Sequence, residues 1–222
     1  MALPMCCSTS VGVARRQRET TLPNDGMTRP GLLTSQDAPP FFEMSRLGAG
    51  YQAQTATLFA PLTAIPTTTA ALELWNNTTS GMTMAVDTLF ASQILSTAAT
   101  QTYAIYAQVT VPKAVPTVTA LVIHSMSGRS PITSSAGTRV VTGVGTTVVA
   151  NGWRPWGDTQ AWGTAAATPG NSWHTEINGR LLVPPGCALT LHVTGSLATA
   201  STFQVGASWY EIPESSTLPV VD

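Results

Sequence analysis

The sequence predicts an all-β protein, folded as a two-sheet antiparallel β-sandwich behind an extended N-terminal arm. Three observations predict it. Threonine fills about 35 of the 222 positions, and β-branched side chains fit a pleated, half-buried surface. Apolar and polar residues alternate in short runs separated by Gly, Pro, Asn and Ser, and hardly any segment has a helical period. Charge is unevenly spread: nine charged residues lie at or before Arg46 and twelve in the rest of the chain, which divides an arm, residues 1–50, from a sandwich domain, residues 51–222.

The arm comes first. Between Thr20 and Pro40 it is punctuated by Pro23, Asn24-Asp25-Gly26, Pro30-Gly31 and Pro39-Pro40, which blocks long helices and central strands. Such a segment needs a surface to lie on, either that of a neighbouring subunit or that of its own domain, and the first is the reading preferred. Arg15, Arg16, Arg18 and the Phe41-Phe42 pair are its candidate docking residues.

From Tyr51 onward nine strands are expected: Thr55 to Leu62, Ala70 to Trp75, Thr83 to Leu95, Thr102 to Val111, Val118 to Ser125, Thr138 to Val149, Trp173 to Val183, Ala188 to Thr194 and Thr202 to Ile212. In Leu189-Thr190-Leu191-His192-Val193-Thr194 the apolar side chains share one face, predicted to be core, and Thr, His and Thr the other, predicted to lie outside it. The same period places Tyr103, Ile105, Ala107, Val109 and Val111 together. Asn76-Asn77-Thr78-Thr79 reads as a turn, and helix is expected only in short pieces, such as Ala91 to Ala99. Nine strands and a Pro-Pro-Gly turn before the penultimate one suggest a sandwich of jelly-roll type.

Composition excludes several functions. With 9% charged residues, a net charge of -1 and Lys113 as the one lysine, the chain lacks the basic stripe that a nucleic-acid partner requires. No apolar run has the length of a signal peptide or a transmembrane helix, so neither secretion nor a membrane partner is expected. Cys6, Cys7 and Cys187 form no disulfide framework and no metal knuckle. A soluble surface usually carries about a quarter to a third charged residues, so the scarcity of charge here points to surface hidden against other chains.

The run Arg180-Leu-Leu-Val-Pro-Pro-Gly-Cys-Ala-Leu-Thr-Leu-His-Val193, followed by Phe203-Gln-Val-Gly-Ala-Ser-Trp-Tyr-Glu-Ile-Pro213, resembles the C-terminal strand pair of jelly-roll virion proteins of tailed bacteriophages. The resemblance spans residues 70 to 213 and rests on turn chemistry and a Thr/Ala/Gly-rich body. It implies a structural component of a phage particle, commonly trimeric, of the capsid-decoration, head-fibre or tail type. The major capsid protein and other copies of the chain are then its partners, and the virion its location. No functional residues carry over from it.

Catalytic signatures are missing: the serines sit in no G-x-S-x-G elbow, and the glycine pairs form no nucleotide loop. No enzyme activity and no cofactor are expected. His174 and Glu176, two apart on a strand, share a face within reach of one metal ion, although two solvated polar residues are the plainer reading. Asp158 and Glu176 are the nearest carboxylate pairing, with no cleft evident between them. Four of the six tryptophans fall in the segment 151–173, read as a loop. There Trp153, Trp156 and Trp162, beside Arg154 and Asp158, could stack on sugars of a host-surface glycan, or could fill a sandwich end or a subunit interface.

Overall fold

The computed structural model describes residues 42–95, 101–111, 121–128, 152–162, 172–196 and 201–214, with the strand segments 17–21, 28–32, 132–133 and 139–147. Near the N-terminus a hairpin pairs β1 (Gln17–Thr21) with β2 (Thr28–Leu32), and a short helix α1 (Phe42–Arg46) follows. The predicted arm therefore contains a two-stranded ribbon. Arg15, Arg16 and Phe41 lie outside the described residues, and of Arg18 in β1 and Phe42 in α1 the backbone alone is described.

Among the described residues eleven further strands form the sandwich: β3 (Gly50–Gln54), β4 (Thr69–Asn76), β5 (Met82–Leu95), β6 (Gln101–Thr110), β7 (Val122–Ser125), β8 (Ile132–Thr133), β9 (Arg139–Thr147), β10 (Arg154–Trp162), β11 (Ser172–Val183), β12 (Ala188–Gly195) and β13 (Thr202–Pro213). One sheet has the order β10-β6-β12-β4-β9 and the other β11-β5-β13-β3-β7-β8. Their antiparallel pairs β3/β13, β4/β12, β5/β11 and β6/β10 are nested. The first four strands thus run out as one long double ribbon with the last four, and the ribbon is rolled so that alternate pairs fall in opposite sheets. That is jelly-roll wiring. Strands β7, β8 and β9, inserted between β6 and β10, lengthen the sheets beside β3 and β4.

The core lies between the sheets. Leu72, Leu74, Met84, Leu89, Ile105, Ile123, Leu189, Leu191, Phe203 and Trp209 are each no more than 1% exposed. At one end a buried polar network joins the layers. The Tyr103 hydroxyl donates to Gln101 Oε1 at 2.7 Å and lies 2.9 Å from Ser201 Oγ, while Gln93 Nε2 on β5 donates to the Tyr103 and Ser201 oxygens at 3.3 and 3.2 Å. At the β4 turn, Asn76 is buried and its Nδ2 donates to the Met82 and Val183 carbonyls, whereas Asn77 Oδ1 accepts from the Thr79 amide. Asn76 is therefore a structural clasp, and Asn77 the turn residue.

Four expectations are corrected. Residues 55–62 form no strand; Phe59 and Leu62 make single bridges to Phe203 and Thr194 as the chain passes between the sheets. The helix expected from Ala91 is strand β5 as far as Leu95, because Ala91 and Gln93 face inward between β11 and β13. The segment 151–173 is not all loop, since it contains β10. Finally, β12 is buried on both faces: Thr190 is 0% and His192 4% exposed. Thr190 lies between Glu73 and Gln108 on the adjoining strands, forming a buried polar row.

His192 packs edge-on against Phe59, ring centroids 5.0 Å apart. Burial lowers its pKa from the ordinary value, against the opposing pull of the Val193 carbonyl. The unfolded chain therefore binds a proton that the folded chain resists. Stability is expected to be unaffected by this group above about pH 6.5 and to decline as the pH falls below it. Urea midpoints at pH 7.5 and 5.0 should move less for His192→Gln than for the parent; equal movement would remove His192 as the cause. Cys187 is a free, half-buried thiol, and burial raises its pKa, which disfavours the reactive thiolate.

Candidate functional site

Strands β10 and β11 are the outermost strands of their sheets on the same side of the sandwich, and both are interrupted at the same height. On β10 the register shifts between Trp156, opposite Ile105, and Gln160, opposite Tyr103, so that Gly157, Asp158 and Thr159 bulge. On β11 it shifts between Glu176, opposite Thr88, and Leu181, opposite Val86. Asn178 and Gly179 make that excursion with φ of 51° and 75°, a left-handed conformation that an Asn-Gly pair adopts at little cost. Arg180 secures it: its Nε donates to the Ile177 carbonyl at 3.0 Å and its Nη2 to the Glu176 carbonyl at 2.7 Å.

The bulges meet across the seam. Gly157 has φ 74°, and a Cβ there would run into the Thr175 side chain. Glycine is required on both counts. Beside this contact the strands part to form a cleft of about 450 Å³, lined by Trp156, Asp158, Trp173, His174, Glu176 and Arg180 among others. The guanidinium carbon of Arg180 lies 5.9 Å from the Trp156 ring centroid. Arg180 and Trp156 also line an adjoining hollow of about 270 Å³ that reaches Gln108 and Arg154.

The structure thus brings together groups that are separate in the sequence. Trp173, Thr175 and Ile177 point inward, and His174 and Glu176 are exposed on the opposite face, as strand alternation requires. His174 leans on Phe90, centroids 5.7 Å apart. Among the described residues no three His, Cys, Asp or Glu side chains converge to hold a metal ion. Asp158 does share a cleft with Glu176. Trp153 has a packing contact, because its Nε1–H donates to the Thr67 carbonyl at 3.1 Å and ties β10 to the β3–β4 connection. Arg154 is exposed at the second hollow, and the Trp162 side chain lies outside the described residues. Sequence reasoning passed over Arg180 and Gly157. The Asn178-Gly179 pair inside a strand pattern was the signal for the first of these, since such a pair marks a turn or bulge.

Fold and site together define a jelly-roll-like sandwich with a polar cleft at its open edge. No protein-family model matches the chain, and no curated protein matches it in sequence.

Proposed function

We propose that this chain is a non-enzymatic structural protein of a bacteriophage virion, of the capsid-decoration or fibre type. It associates as a homotrimer through neutral β-surfaces and attaches to the major capsid protein by its N-terminal arm. The observation that supports this reading is jelly-roll wiring in a chain with only ten basic and eleven acidic residues. Jelly rolls recur in capsid proteins, and a surface so poor in charge favours burial against other subunits. Closed cyclic symmetry would cover that surface without leaving it open to unlimited growth.

Light scattering on a sizing column tests the reading, with the full-length protein over a wide concentration range. The expected mass is about three times the 23.2 kDa of the chain. A monomer at every concentration would overturn self-association.

A further inference from the structure

We infer that the cleft between β10 and β11 binds a short, uncharged saccharide, with Asp158 and Glu176 accepting hydrogen bonds from its hydroxyls beside the Trp156 indole. The site goes beyond the assembly reading and does not depend on it.

The groups facing the cleft have unspent hydrogen-bonding capacity of both kinds. Asp158 is exposed and makes no hydrogen bond or ion pair to another described residue. Glu176 receives one long bond from Asn178 Nδ2, at 3.4 Å. On the donor side, Arg180 is exposed at the cleft wall and spends only Nε and Nη2 on backbone carbonyls, which leaves Nη1 to donate. A ligand whose groups both donate and accept suits this set, and a hydroxyl does both. The cleft volume, about 450 Å³, lies within the roughly 300–1,000 Å³ of small-molecule sites.

Charge selects among ligands of that size. An anion would face two carboxylates. A cation would find the Trp156 face already taken by Arg180, whose carbonyl bonds hold it there, so that face cannot receive it. An uncharged polyol meets neither obstacle, and its hydroxyls can both donate to the carboxylates and accept from Arg180. The scaffold is also preorganised, because the Arg180 bonds to the Glu176 and Ile177 carbonyls and the close contact of Gly157 with Thr175 secure both bulges.

The full-length protein is applied to an array of immobilised glycans, with neutral hexose and N-acetylhexosamine oligomers beside sialylated and amine-bearing ones. Retained glycans are then titrated in solution by calorimetry. The expected result is saturable binding of a neutral glycan, one per chain, weakened about tenfold by Asp158→Asn and by Glu176→Gln, and lost in the double variant. Retention of no neutral glycan, retention of charged glycans alone, or undiminished binding by the double variant would each overturn the site. The solution mass is measured on the same samples. A monomer that binds the saccharide overturns the assembly reading alone, and an oligomer that binds none overturns the cleft alone.

Discussion

Trp209→Ala is expected to destabilise the fold by about 3–5 kcal/mol, the range for removing a fully buried tryptophan. Trp209 is 0% exposed on β13, paired with Tyr51 on one side and Val86 on the other. Its ring centroid lies 6.1 Å from that of Tyr51, and its Nε1–H donates to Glu211 Oε1 at 3.4 Å. Truncation opens a void at the middle strand of one sheet, where the neighbours are fixed by ladders on both sides and cannot collapse inward. The fall in melting temperature should be on the order of 10 °C. Circular dichroism, which does not depend on the deleted fluorophore, reads it. Trp209→Phe should recover most of the loss; if it recovers none, the hydrogen bond to Glu211 outweighs the packing.

Gly206→Val is expected to cost about 3 kcal/mol for the opposite reason, overfilling. Gly206 lies directly opposite Phe90, and the Phe90 ring occupies the space where a Cβ would sit. The Ala53 carbonyl oxygen, 2.5 Å from that position, is backbone and cannot swing away. Phe90→Ala in the same chain should therefore relieve only part of the strain, a non-additivity that a double-mutant cycle measures. Full rescue would show that the carbonyl contact costs nothing. The effect should also reach the cleft. His174 rests on the other side of Phe90, so displacement of that ring moves a cleft wall.

Eight of the nine expected strands correspond to observed ones, because alternation with period two is a local property and turns such as Pro184-Pro185-Gly186 are unmistakable. The ninth, residues 55–62, mimics the pattern. Thr55 and Phe59 are buried, but only two residues of the stretch make bridges. Strand β10 was hidden for a different reason. Pro155, Gly157 and Asp158 are poor strand residues, tolerated because an edge strand pairs on one side alone and its bulge removes Asp158 from the ladder. The orientation of His174 and Glu176 was legible in β11, whereas their meeting with Asp158 was not. That encounter joins edge strands of two different sheets, and nothing local in either segment records it. The role of Arg180 depends on a bulge whose depth is set by pairing with β5.

The order of strands also constrains when the chain can fold. The centre of each sheet is closed by a strand from late in the sequence: β12 separates β6 from β4, and β13 separates β5 from β3. Until residues 188–213 have left the ribosome, pairs such as β6/β10 with β4/β9, and β5/β11 with β3/β7, have no strand to join them into one sheet. Synthesis proceeds at about 5–20 residues per second, so the strands from β3 onward wait many seconds with their apolar faces uncovered. Completion of the sandwich is then a late event, slow because almost every pairing spans a long stretch of chain. The nascent polypeptide is thus most exposed to aggregation until residues 188–213 emerge, and a truncation that removes them would take the keystone from both layers at once.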